Sequence, residues 1–268
     1  MKRKVYEQLL EWKSQEHHKP LILNGVRQCG KTYVLKEFGR QEFDSLAYVS
    51  CDRNVNLQAI YSGDFDVARI IQGLSALTGV DIIPGKTLIF LDEVQAFPQA
   101  LEALKYFCED APEYHIVVAG SLPGVALHAG VSFPVGKVQT LRLFPMDFEE
   151  FLMAMGEEQL LKLMHSHDYE LMNAFHEKLK DLLRQYYYVG GMPEVVKAFA
   201  ENKLLNQVRS LQNEILSNYA SDFSKHAPSQ EVPRIDMVWQ SILGQLSKEN
   251  KKFVYGVLKK GEIGRAHV

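Results

Sequence analysis

The sequence has no run of about 18 apolar residues, so no membrane-spanning helix is expected. Residues 1–13 are polar and charged and lack the apolar core of a secretory leader. Cysteine is scarce. Cys29, Cys51 and Cys108 are the only three, far apart and without C-x-x-C or Cys/His zinc spacing, which suits a reducing compartment. A strong charge of one sign is also missing: 30 basic against 33 acidic residues leave a net charge of −3. No global basic field therefore advertises nucleic acid, although net charge leaves a local patch open. These absences together lead to the expectation of a cytoplasmic protein. What remains is 268 residues with an apolar fraction of 46%, enough for one large or two modest domains with a real core.

Apolar runs at residues 20–24, 46–51, 87–91 and 116–119 read as strands, and 138–143 supplies a fifth. Helical periodicity falls between them at 33–38, 67–77 and 100–108, and Val5, Leu9, Leu10 and Trp12 mark an amphipathic helix before the first strand. Strands that are apolar on both faces and alternate with helices predict an α/β fold, a parallel sheet with helices on both faces. Near Pro145 the composition shifts, and the rest reads as helices at 147–155, 168–188, 193–200, 204–223 and 236–246.

Gly25-Val26-Arg27-Gln28-Cys29-Gly30-Lys31-Thr32 fits G-x-x-x-x-G-K-[ST], with a strand before it and a helix after it. The glycines let backbone N–H groups turn inward around a phosphate, and the helix aims its positive end at the same anion. Lys31 is expected to reach the β- and γ-phosphates and Thr32 to place its hydroxyl on Mg²⁺. Gly25, Val26, Arg27, Gln28, Cys29, Gly30, Lys31, Thr32 and Tyr33 thus form the expected ATP-binding segment. Cys29 is either an oxidation-sensitive thiol at a helix start or a small filler.

A second motif supports the first. Residues 88–93 are an apolar strand ending in Asp92-Glu93, and unpaired carboxylates at the end of a buried strand are costly unless a metal or water uses them. Asp92 is the expected Mg²⁺ ligand, and Glu93 the base that orients or deprotonates an attacking water. An acid pair at this place favours water over a substrate hydroxyl, hence hydrolysis over a kinase reaction. Gln95 either touches the nucleotide or a neighbouring subunit, or caps a helix. Ser121, at the end of the strand 116–119, is either a γ-phosphate sensor with a catalytic part or a turn serine. His17-His18 reads as a solvent-facing pair in a polar loop. His165 and His167 read as loop residues without a partner set for zinc.

With these residues in view, the chain resembles the prokaryotic AAA-type ATPases that carry an uncharacterised C-terminal domain. The likeness is carried by G-V-R-Q-C-G-K-T, by L-D-E-V-Q at 91–95 and by F-P-V-G-K-V-Q-T-L-R-L-F-P-M-D-F-E-E-F-L at 133–152. Y-V-G-G-M-P-E-V-V at 188–196, D-F-S-K-H at 222–226 and K-E-N-K-K-F-V-Y at 248–255 continue it. The resemblance implies an AAA-like core over 1–145, a helical lid over 146–203 and the start of a winged-helix-like C-terminal domain over 204–261. In intact relatives this domain continues into a restriction-endonuclease-like fold. It implies ATP and Mg²⁺ as ligands and ATP hydrolysis coupled to a conformational switch. A DNA-processing ATPase is the alternative, with a DNA or protein partner bound through the C-terminal region. Two features depart from the pattern: Ser121-Leu122-Pro123 replaces a run of serines, and Lys137 stands where many relatives have Arg. An arginine-finger role is therefore open among Lys137, Arg142 and Arg184, which otherwise read as solvated or salt-bridged surface residues. Residues 262–268 back-translate to a common sequencing adapter, so they are expected to be an artefactual tail on a truncated gene.

Overall fold

The structure is a computed structural model that describes residues 1–52, 54–121, 134–227, 229–247 and 253–254. The expectations for Leu122, Pro123 and Phe133, for most of 248–255 and for 262–268 lie outside the described residues. The described chain forms two compact units, residues 1–205 and 206–268.

The first unit is built on five strands: β1 (Leu21–Gly25), β2 (Ser45–Ser50), β3 (Thr87–Asp92), β4 (His115–Ser121) and β5 (Gln139–Leu143). All pairings are parallel, in the order β2-β3-β4-β1-β5. Helices α1 (Val5–Ser14) and α2 (Lys31–Glu42) precede β1 and β2, and α3 (Asn56–Ile60), α4 (Val67–Thr78) and α5 (Gln99–Asp110) follow β2 and β3. Alternation along each strand sorts the core into two layers. Ile22, Ala47, Val49, Ile89, Leu91, Ile116 and Val118 pack with α3, α4 and α5. Leu21, Leu23, Leu88, Phe90, Val117 and Ala119 point the other way, onto Val5, Leu9 and Trp12 of α1 and Val34, Leu35 and Phe38 of α2. This is a P-loop NTPase-like α/β fold. Parallel strands end on one edge, and in such sheets ligands bind outside the carboxyl ends of the strands.

Helix ends follow local chemistry. The Asp66 carboxylate accepts from the N–H groups of Ala68 and Arg69 to start α4, and Gly79 ends it in the left-handed conformation (φ 68°). The remaining helices of this unit are α6 (Phe148–Ala154), α7 (Glu158–Ser166), α8 (Tyr169–Ala174), α9 (His176–Val189) and α10 (Pro193–Asn202). Three expectations need correction here. The single helix expected over 168–188 is broken at Phe175 (φ −105°), which ends α8 and precedes α9. His165 is not in a loop: it lies on α7, and its ring nitrogen is 3.1 Å from Glu149 Oε1, while His167 follows in the left-handed conformation. His18 is not solvent-facing either. It is buried and stacked on His115 at 3.8 Å between ring centroids, with Trp12 edge-on to both rings. A sequence-adjacent polar pair hides this, because only the packing of α1 against the sheet brings His115 to His18.

The second unit contributes α11 (Leu205–His226) and α12 (Val232–Leu246), where Trp239 packs on Tyr219 and Phe223. No helix among the described residues is long and apolar enough to cross a membrane.

Candidate functional site

The loop between β1 and α2 is shaped by its glycines. A Cβ on Gly25 would run into the carbonyl oxygen of Leu143 on β5 and lie 2.9 Å from Cys29 Sγ, so only glycine fits where β1 leaves the sheet. Gln28 (φ 63°) and Gly30 (φ 93°) are both left-handed. Left-handed residues interspersed in a turn bring successive N–H groups onto one concave side, the form of an anion-binding nest. Lys31 opens α2, is buried, and its ammonium donates to the carbonyls of Gly25 and Val26, both at 2.9 Å. The ammonium is therefore held across the loop it belongs to rather than out in solvent.

The two motifs that the sequence holds 60 residues apart meet here. Thr32 Oγ1 donates to Asp92 Oδ2 at 2.7 Å. Asp92 ends β3, a strand buried along its whole length, and its other oxygen accepts from the Glu93 N–H at 3.0 Å. The Tyr48 hydroxyl donates to Asp92 Oδ2 at 3.4 Å, and the Lys36 ammonium sits 3.5 Å over the Tyr48 ring. Burial, and then the negative charge of Asp92, push the Tyr48 hydroxyl pKa up. The same two causes, joined by Glu93, raise the Cys51 thiol to about 12, and that residue's N–H donates to the Asp92 carbonyl at 2.8 Å. Cys51 is thus an inert filler of the core beside the site. Cys29 is fully buried, and burial raises its thiol against the opposing charges of Lys31 and Arg3, which supports the filler reading over the oxidation-sensitive one.

Glu93 takes a left-handed backbone conformation (φ 53°) that is uncommon for a non-glycine residue. The Gln95 side-chain amide donates to Glu93 Oε2. Gln95 itself lies in the 3₁₀ turn Val94–Ala96. Ser121 closes β4, and in the parallel register its backbone pairs with Gly25, beside the first glycine of the loop. Tyr33 is exposed on the first turn of α2. Two of the three cations considered for an arginine finger are held in ion pairs, and the third faces solvent. Lys137 pairs with Glu109 at 2.8 Å, Arg184 pairs with Asp181 at 3.1 Å, and Arg142 is exposed on the edge strand β5.

Residues 17–152, about half of the chain, match a protein-family model described as an AAA domain. The chain belongs to the AAA domain family. Residues 180–267 match a second model, described as a domain of unknown function. Among solved structures, the chain is similar to the Walker-type ATPase PABY2304 of Pyrococcus abyssi. Its TM-score is 0.56 at 15% identity, covering 91% of this chain and 80% of that one. A structure of Drosophila ORC bound to DNA is similar at a TM-score of 0.46 and 13% identity, covering 94% of this chain and 82% of that one. No curated protein matches the chain. The loop 25–32, Asp92, Glu93 and Ser121 all fall inside the AAA domain match.

Sequence reasoning missed one set of side chains. Arg3 and Glu150 are both buried, and Arg3 Nε donates to Glu150 Oε1 at 3.1 Å. Arg3 Nη1 donates to the Cys29 carbonyl of the loop at 2.9 Å, and Nη2 to the Phe144 carbonyl after β5 at 2.6 Å. The Lys4 N–H adds a further bond to Glu150 Oε1 at 2.7 Å. Nothing in the polar run Lys2-Arg3-Lys4 distinguishes the middle residue from its exposed neighbours, because its partners are 26 to 147 residues away.

Proposed function

We propose that the AAA domain binds ATP with Mg²⁺ at the loop 25–32 and hydrolyses it to ADP and phosphate. The observation that carries this reading is the 2.7 Å hydrogen bond between Thr32 and Asp92, which joins the two nucleotide motifs at the mouth of the phosphate loop. Amides of the left-handed turn and the Lys31 ammonium supply positive potential for the phosphates, and the start of α2 adds its dipole. Thr32 Oγ1 and Asp92 Oδ2 are hard oxygen donors side by side, the donor set that Mg²⁺ takes when phosphates and waters complete its octahedron. Mg²⁺ bound by these two residues would neutralise charge on the β- and γ-phosphates. Tyr48 donates to the same oxygen of Asp92 that Thr32 contacts and helps to hold the carboxylate in place. Glu93 is the base in this reading: it lies at the strand end beside Asp92, and the Gln95 amide fixes one of its oxygens. Ser121 is the sensor candidate, on the strand next to β1. Residues 146–203 then act as a lid whose position follows the nucleotide, and the C-terminal helices transmit that change. Isothermal titration with MgATP and a phosphate-release assay test the reading on the protein as it stands. Wild type is expected to bind and turn over MgATP, and Lys31→Ala to lose detectable binding while remaining folded. Wild-type protein that is folded and binds no MgATP would overturn the proposal.

A further inference from the structure

We propose that Arg3 is a positioning residue of the nucleotide site, holding the phosphate loop in its binding shape from the outside. The inference rests on the ATP-binding reading above and deepens it. The guanidinium is buried, and its three nitrogens each donate to a different segment: Glu150 on α6, the Cys29 carbonyl in the loop, and the Phe144 carbonyl after β5. A planar fork with fixed donor directions sets the relative positions of three acceptors in a way that a single ammonium cannot.

The contact with Cys29 matters most. No peptide bond among the described residues is cis, and in a trans peptide the C=O and the following N–H point in opposite directions. Arg3 fixes the Cys29 carbonyl toward itself, and so aims the Gly30 N–H at the opposite side of the loop. Gly30 is the left-handed residue that caps α2, and its N–H belongs to the set available to an anion. Space around Gly30 is shared between Arg3 and the start of α10. A Cβ there would lie 3.7 Å from both Arg3 Nη1 and Pro193 Cγ. Pro193 belongs to the Gly190-Gly191-Met192-Pro193 segment, where Gly191 and Met146 are locked backbone to backbone by the Met146 N–H donating to the Gly191 carbonyl at 2.6 Å. Arg3 therefore stands where the loop, α6 and α10 converge, and Glu150 fixes it there while also accepting the Lys4 N–H.

Two variants test this. Arg3→Lys keeps a cation for Glu150 but lacks the planar fork that reaches three acceptors on separate segments in fixed directions. The double variant Arg3→Met/Glu150→Met removes both charges, so neither is left buried and unpaired, and still deletes the donor to Cys29. Melting curves and titration with MgADP are run on wild type and both variants, with KM and kcat for MgATP alongside. The expected result is a Kd about tenfold weaker, the loss expected of one charge-assisted hydrogen bond, with KM rising in step and kcat little changed. A purely structural role would instead lower the melting temperature and leave the Kd of the folded protein at the wild-type value. That outcome in either variant overturns the inference, and Arg3→Lys decides it alone if the double variant does not fold. Wild-type protein that binds neither nucleotide would overturn the ATP-binding reading itself, a result separable from the variants because it is read on wild type.

Discussion

As the proposed base, Glu93 would sit at a conflict between stability and chemistry, and three substitutions separate the two. Its left-handed backbone (φ 53°) costs a non-glycine residue about 1–2 kcal/mol relative to ordinary conformations. Glu93→Gln keeps that backbone, its size and an oxygen able to face the Gln95 amide. Its stability should match wild type, while turnover falls by about 10²–10⁴, the usual contribution of a positioned general base. Glu93→Ala and Glu93→Gly both delete the carboxylate and should be equally inactive, yet they should differ in stability. Glycine recovers the strain of about 1–2 kcal/mol but gives back about 0.4–1 kcal/mol through the greater freedom of its unfolded chain. Glu93→Gly should therefore be more stable than Glu93→Ala by about 1 kcal/mol, or about 2–4 °C in Tm for a chain of this size. Thermal melts give the stability order, titration with MgATP shows that binding survives in Glu93→Gln, and steady-state phosphate release gives the rates. Full turnover in Glu93→Gln would refute the base assignment. An alanine variant more stable than the glycine variant would refute the strain argument.

Other expectations follow from single sites. Burial, reinforced by the stacked His18 ring, pushes the His115 pKa down to about 4, so the folded protein holds this ring neutral where the unfolded chain would protonate it. The contribution is fully present above the unfolded value near 6.5 and is lost as pH falls toward 4. Stability should drop by about 2 kcal/mol between pH 7.5 and pH 5. Urea midpoints measured at the two pH values check this, and His115→Phe, which keeps an aromatic ring against Trp12 and Phe43, should flatten much of the dependence. Gly191→Ala should destabilise the fold by about 2 kcal/mol or more, because the new Cβ would overlap the Met146 carbonyl, which also accepts from the Tyr186 hydroxyl at 3.0 Å. A denaturant midpoint unchanged from wild type would contradict that contact.

The core of this molecule was legible in its sequence because the signals are local. Continuous apolar runs mark the buried parallel strands, and glycines in a G-x-x-x-x-G-K-T spacing mark a turn that other residues cannot make. An apolar strand ending in two acids marks the carboxyl edge of the sheet, where Asp92 meets Thr32. Each of these is decided within about ten residues by backbone conformation and burial, so the loop and the strand end that carry Lys31, Thr32, Asp92 and Glu93 could be located from the sequence. Only the tertiary structure decided what depends on approach between distant segments. It paired Thr32 with Asp92, seated Tyr48 on that carboxylate, stacked His18 on His115 inside the protein, and gave Arg3 its acceptors on the loop, after β5 and on α6. A polar side chain carries no sequence mark of burial, because the partners that offset its desolvation come from elsewhere in the chain. For that reason the phosphate loop is written in the sequence, while the side chain we infer to hold its shape emerges only when the chain is folded.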